Sequence, residues 1–488
     1  MEDSWFEDES EDDELSDKES SSEIEHDDSG TSKHEDEIDL DDVTSKKGHT
    51  QSTFYSSSSG MTWSSISSYS TKTYSTGTAT MKAGPTEHTQ DVISVADAFQ
   101  CFISDNILQK ILIYSNTERT RKNTDDDIDD ITMIELKACI GLLLLAGLLG
   151  QSKKSIKSLW NRSPLESPIF RAAMSRNRFQ QIISCIRFDD KTTREERRKT
   201  DKFASLREIW TDFQNNIRTC YAPGSFITIN EQLLGFRGKC PFRQFIPKKP
   251  DKYGLKFWLC VDSNSFYVFN AFPYIGRQPD QKRQKQVGFN VVLDLLKPLY
   301  DSNRTVTFDN FFTSVPLAKE LQAKKINVIG TLRKNKPEIL IEFQSDKSRE
   351  VGSSLFAFHD CLTLVSFVPK QNQAVLLLSS KHNDSIVDKE TGKPNIIVDY
   401  NKTKGAVDTV DQMCHKYTVK RATRRWPLCI FYGMIDIAGI NALIIWKEKY
   451  PDWNQNKGYK RRLFLEELGM SLVSPLLDYR SKTSTNLH

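Results

Sequence analysis

The spacing of apolar residues changes character at Pro223, and that change constrains the fold more than any other feature. From about Val92 to Tyr221 the spacing is mostly helical, as in Ala96–Phe99–Phe102–Ile103 and Leu136–Ile140–Leu143–Leu144. After Pro223, Lys256–Asp262 (KFWLCVD) and Ser265–Phe272 (SFYVFNAF) read as strands joined by a tight turn. Val287–Leu299 reads as a helix, Thr305–Asp309 as a strand, Val315–Lys325 as a helix and Asn327–Leu332 as a strand. Strand signals follow at Leu355–Phe358, Leu362–Val368, Val375–Ser379 and Ile396–Asp399, and the chain returns to helix from about Lys404. This order predicts an α/β core carrying a β-rich insertion, with helical segments on either side.

Charge is divided as sharply as periodicity. Of the 488 residues, Met1–Ser45 holds 21 Asp and Glu against Lys18 and Lys33, a net of −19. The whole chain is +2, so the remainder carries +21. A basic body of this kind suits a polyanion. Residues 1–91, acidic and then rich in Ser and Thr from Ser52 to Thr80, have too few aliphatic residues to build a core and are expected to be disordered. Nine cysteines are scattered without a C-x-x-C pair, so no zinc site is expected and the thiols are expected to be reduced, inside a cell. Ala138–Leu149 is too short to span a bilayer. Leu428–Trp446 is long enough, but its central Asp436 would cost about 2.5–3.5 kcal/mol on insertion, so a buried helix and no membrane partner are expected.

Four aspartates at three places in the chain stand out by their position. Asp262 and Asp309 each end an apolar strand, and Asp408 and Asp411 sit at i and i+3 in GAVDTVDQM, on one face if that segment is helical. Carboxylates at strand ends joined by one from a helix can hold two divalent cations, Mg²⁺ or Mn²⁺ by their hard oxygen ligands. Asp at strand ends and helix starts equally well caps or turns the chain. The residues alone leave both readings open, and they leave open whether Arg171, Arg176, Arg178 and Arg187 line a DNA-facing helix or an ordinary amphipathic one.

The motifs around these residues resemble the piggyBac family of DNA transposases. Phe236-Arg-Gly-Lys-Cys-Pro-Phe-Arg243 and Ile246-Pro-Lys-Lys-Pro-Asp-Lys-Tyr-Gly-Leu-Lys256 look like the signature that leads into its first catalytic strand. Asp309-Asn-Phe-Phe-Thr-Ser314 resembles the second block, Gly330-Thr-Leu-Arg-Lys-Asn-Lys336 the basic segment after it, and Val407-Asp-Thr-Val-Asp-Gln-Met-Cys414 the third block. Arg424-Arg-Trp-Pro427 continues the likeness, which runs from about Val92 to the C-terminus.

The resemblance implies a ribonuclease-H-like catalytic core at 226–332 and 399–418, interrupted by a β-rich insertion at 333–398. It implies a helical dimerisation and DNA-binding domain made of 92–225 and 419–488. It assigns catalysis and metal binding to Asp262, Asp309 and Asp408, with Asp411 as a further acidic position. It implies phosphate contacts from Arg237, Arg243, Lys248, Lys249, Lys252, Lys256, Arg333, Lys336, Lys420, Arg421, Arg424 and Arg425, with Trp426 as an accompanying aromatic. The implied activity is Mg²⁺- or Mn²⁺-dependent excision and strand transfer of a transposon at TTAA, by a homodimer in the nucleus.

Two departures qualify this. No Cys follows Cys429, so the family's cysteine-rich zinc domain is expected to be absent. The TINEQ segment has Asn230 where the family usually has Asp, a position not read as a metal ligand. An active transposase and a domesticated DNA-binding or chromatin protein that has lost the reaction are therefore the two competing readings.

Overall fold

The helical half of the sequence is realised in α1 (Asp105–Lys122), α2 (Met133–Leu148), α3 (Arg176–Cys185) and α4 (Arg207–Thr219). The computed structural model describes residues 53–67, 82–122, 129–163, 166–247, 249–278 and 286–485. Helix α2 starts at a capping box in which Thr132 and Glu135 satisfy each other's backbone N–H groups, worth about 1 kcal/mol. On α3, Phe179, Ile182 and Cys185 face the core. Its arginines are turned to structural work: Arg178 forks onto Glu135 at 2.7 and 2.9 Å, and just beyond the helix Arg187 reaches Glu118 at 2.7 Å. The amphipathic alternative thus fits Arg178 and Arg187, while Arg176 stays exposed.

The strand-rich half forms one mixed sheet. Apart from the two-residue strand Gln244–Phe245, which pairs with Gly254 and Tyr253, its strands are β1 (Phe54–Ser56), β2 (Thr62–Ser64), β3 (Phe226–Gly235), β4 (Tyr253–Asp262), β5 (Val268–Pro273), β6 (Thr305–Phe308), β7 (Asn327–Thr331), β8 (Ser354–His359), β9 (Leu362–Lys370) and β10 (Gln373–Ser379). They lie in the order β1-β2-β8-β9-β10-β7-β6-β3-β4, with β5 on the outer side of β4. Counted from β3 as first, the five strands of the core run 3-2-1-4-5. β4 is antiparallel to both its neighbours, and β3, β6 and β7 are parallel to one another. Helices α5 (Val287–Leu296) and α6 (Val315–Ala323) make the crossovers to β6 and β7. The strand signals at 354–379 do not build a separate layer, because β10 pairs antiparallel with β7 and extends the same sheet.

Two expectations are corrected here. Ile396–Asp399, expected as a strand, lies in helix α7 (Asn395–Thr403). Its Ile396, Ile397, Tyr400 and Thr403 recur at helical spacing, and Ile396 and Ile397 pack beneath Ile329, Val365 and Leu377. Residues 53–67, expected to be disordered, form the β1–β2 hairpin that joins the edge of β8 through Phe358 and Ser64. Trp63 explains it: its side chain is fully buried and its indole N–H donates to the Glu338 carbonyl at 3.0 Å. Residues 82–91, in the same expected segment, are ordered as well, with Gly84 and Pro85 paired to Ala222 and Tyr221, while 1–52 and 68–81 lie outside the described residues.

Helix α8 (Ala406–Lys416) follows α7 across the sheet face. Helices α9 (Trp426–Lys449) and α10 (Lys460–Thr485) then return to the helical layer. Helices α2 and α10 touch backbone to backbone, since a Cβ on Gly141 would stand 2.8 Å from the Gly469 carbonyl oxygen. Helix α9 is long and apolar enough to cross a membrane, yet nearly all of it is buried inside the protein, as expected for Leu428–Trp446. Its Asp436 accepts from the Val419 N–H at 2.9 Å and the Thr418 hydroxyl at 2.7 Å, and burial pushes its pKa up to about 7.

Candidate nucleic-acid-processing site

The site is set by strand register. Parallel strands β3 and β6 pair Ile227 with Val306, Thr228 with Thr307 and Ile229 with Phe308. The next residue on each strand is Asn230 and Asp309, side by side where β6 ends. Side chains alternate along a strand, so Thr228, Asn230 and Gln232 share one face, as do Thr305, Thr307 and Asp309. That face meets α7 and α8: Thr228 donates to the Thr403 carbonyl at 2.7 Å, and Thr307 and Thr403 exchange a hydroxyl contact at 2.7 Å. Gln232 donates its amide to Asp411 at 3.0 Å. Asn230, between Thr228 and Gln232, therefore faces the Thr403–Asp411 segment that carries Asp408.

Asp309 accepts from the Phe311 N–H at 2.9 Å. Burial raises its pKa; the Phe311 bond, Arg333 and Lys256 pull it back, and Glu231 adds to the rise. Tyr400 feels both Asp309 and Asp408, whose charges add to the burial that raises its hydroxyl. Asp408 is exposed in the first turn of α8, where the helix dipole favours a negative charge. The structure thus sets Asp309 and Asp408 about Tyr400 and Asp411 against Gln232, all along the middle of β3.

Asp262 is not among them. It pairs with Ile227, at the far end of β3. Two strand spacings and three residues of rise put its backbone roughly 14 Å from that of Asp309. Its carboxylate is fully buried and accepts from the N–H groups of Gly224 at 2.5 Å, Asn264 at 2.9 Å and Ser265 at 2.7 Å. It organises the β4–β5 turn, the capping role that strand-end Asp residues commonly take. Strand β4 runs antiparallel to β3, so β4 ends beside the start of β3, whereas β6 ends beside its middle.

The position that register puts beside Asp309 is Asn230, which was not read as a ligand, although TINEQ was visible as a departure. Its side-chain oxygen accepts from the Glu231 N–H at 2.8 Å. Glu231 points to the other face, where it pairs with Lys256 at 2.7 Å; that ammonium also lies 3.9 Å from the Trp258 ring centroid. Among the described residues no three His, Cys, Asp or Glu side chains are grouped as a metal ion would need. A pair of magnesium or manganese ions therefore does not fit the residues present as the resemblance implied.

The expected phosphate contacts divide. Arg237, Lys252, Arg333 and Arg424 are exposed, and Lys336 is half-buried in the turn after β7. Arg243 is exposed but braces its own loop, donating to the carbonyls of Arg237 and Gly238 at 2.9 Å. Lys249 and Lys420 reach the carbonyls of Glu231 and Gly235 at 3.1 and 2.6 Å. Arg421 is buried and donates to the Lys154 carbonyl at 2.5 Å, and Arg425 holds the carbonyls of Ile183 and Ile186 at the end of α3. Trp426 is buried against Phe203 and Phe242, so it offers no free face to a base. Lys248 lies outside the described residues.

The parallel core of this mixed sheet, with Asp309 at the end of β6 facing the helix that carries Asp408, lies within residues 94–443, which match the family described as Transposase IS4. The chain is similar to the human PiggyBac transposable element-derived protein 3, at 25 % identity over 70 % of this chain and 59 % of that protein. It is also similar to the human derived proteins 2 and 5, at 24 % identity over 72 % of the chain and 22 % over 80 %. It spans 59 % and 61 % of the length of derived proteins 3 and 2. A cryo-EM structure of piggyBac transposase, in a synaptic complex with hairpin DNA, matches with a TM-score of 0.77 and 40 % identity, covering 82 % of this chain and 84 % of that one. The chain belongs to the piggyBac-type transposase family.

Proposed function

We propose that this protein is a transposase-derived DNA-binding protein that holds duplex DNA across the sheet end at Asn230, Asp309 and Asp408. The 3-2-1-4-5 strand order supports reading 226–332 with 399–418 as a ribonuclease-H-like core. On this reading 333–398 is its β-rich insertion, and the helical layer of 92–225 with 419–488 is a dimerisation and DNA-binding domain. The protein acts as a homodimer in the nucleus. The observation that carries the reading is the company Asp309 keeps. Bare carboxylates repel a phosphodiester, but Arg333 and Lys256 act on Asp309 from beside it. Exposed Arg333, with Lys336 in the same turn, gives the DNA backbone a cationic edge next to the carboxylates. The structural relative's hairpin-DNA complex supports the same partner.

A second reading, excision and strand transfer at TTAA with Mg²⁺ or Mn²⁺, is favoured by the retained Asp309, Asp408 and Asp411. Binding of the full chain to hairpin and TTAA-ended duplexes, measured by fluorescence anisotropy over a salt series, tests the first reading. Affinity should fall steeply with salt, and Arg333→Ala with Lys336→Ala should flatten the slope by about 1 per lost contact. A salt-independent signal, or equal binding by the double variant, would reject it.

A further inference from the structure

We propose that the acidic cluster of this chain is one carboxylate short, that Asn230 is the gap, and that a single Asn230→Asp change would restore a divalent-cation site. The inference rests on the transposase-type reading above and goes past it, because it identifies the residue that separates binding from chemistry.

Three independent placements converge on Asn230. Register puts it beside Asp309, one residue past the Ile229–Phe308 pair. Strand alternation puts it on the face of Thr228 and Gln232, whose contacts to Thr403 and Asp411 bracket Asp408. Chain order puts it on β3, the middle strand of the five in the core. Among the described residues no other acid fills the place. Glu231 faces the other way by strand alternation and pairs there with Lys256, and Asp262 is fastened by three N–H groups beside the start of β3.

The chemistry of the amide then matters. A carboxylate offers two oxygens and a negative charge, whereas Asn offers one neutral oxygen and an NH₂ that only donates. Here that oxygen already accepts from Glu231. Such a side chain can touch one ion but cannot bridge two or offset their charge, and hard divalent cations select for anionic oxygen. Asn230→Asp is nearly isosteric, so it supplies the missing oxygen and charge without asking the strand to move.

Manganese titration of the full chain, followed by electron paramagnetic resonance of free Mn²⁺ and by calorimetry, reads this directly. The wild type should bind only in the millimolar range. Asn230→Asp should bind at least tenfold more tightly, and Asn230→Asp with Asp309→Ala should lose that gain. Nicking of a TTAA-ended duplex should appear in the Asn230→Asp protein and be absent from wild type. Micromolar Mn²⁺ binding by the wild type would overturn the proposal, whether or not any variant folds. So would an Asn230→Asp protein with unchanged circular dichroism and no gain in Mn²⁺ affinity. DNA affinity measured on the same samples keeps the two ideas apart. Loss of DNA binding by both proteins, with the Mn²⁺ gain intact, would remove the DNA-binding reading and leave the missing carboxylate standing.

Discussion

Two aspartates show how burial decides what the same side chain does. Asp262 has its charge held by three backbone donors, so Asp262→Ala leaves those donors buried and unpaired. The expected cost is about 3 kcal/mol or more, read as a lower midpoint in denaturant, with Mn²⁺ affinity unchanged. Asp436 works the other way. Its folded pKa of about 7 lies above its unfolded value, so the folded protein binds the extra proton between about pH 4 and pH 7. Its contribution is fully present below pH 4 and is lost as the pH rises through 7. Asp436→Asn, neutral at every pH, should therefore melt closer to wild type at pH 5 than at pH 8, and should be the more stable of the two at pH 8. Thermal melts across that range check it; a wild-type curve that rises with pH in step with the variant would contradict it. Position along the chain marked both aspartates as notable, but it could not say whether Asp262 met a metal or three amides. That depends on which way β4 runs against β3, a long-range fact that no local pattern encodes.

At the scale of elements, most strands and helices were legible because their apolar residues recur with period two or near four. The failures have local causes. Strand β3 was not read as a strand, because TINEQ breaks its apolar run, although Ile227, Ile229 and Leu233 do alternate with Thr228, Asn230 and Gln232. With β3 unread, the place of Asn230 beside Asp309 was not visible from the sequence. The segment at Ile396 was misread because three β-branched residues in a row look like a buried strand until Tyr400 and Thr403 are counted. The β1–β2 hairpin was hidden by its Ser-rich composition and is carried by one indole. Trp63→Ala should cost about 3–5 kcal/mol where that hairpin is coupled to the rest, seen as early loss of hydrogen-exchange protection in β8. Arg425, expected at DNA, instead holds the end of α3. Arg425→Ala should destabilise the fold by about 1–3 kcal/mol and leave the salt slope of DNA binding unchanged.

For the whole molecule, segregated charge is the property the sequence displays most openly. The 21 acids before Ser45 oppose a body of +21, and at low ionic strength the two attract across a Debye length of about 30 Å at 0.01 M. Removing residues 1–52 should tighten binding to random duplex at low salt and do little at 0.3 M, as gel-shift titrations would record; equal affinity at both salts would count against such shielding. The sheet bears on geometry in a different way. β7 is shared between a parallel ladder with β6 and an antiparallel ladder with β10, so the strands of 354–379 have no hinge against the strand that ends at Asp309. A helix of DNA resting on both would meet a fixed ruler, with the span from outer strands to acidic end dictated by backbone spacing of about 4.8 Å per strand. Where along the duplex a phosphate comes to rest would then be measured out by the number of strands, and adding or deleting one would shift that mark by a step of known length.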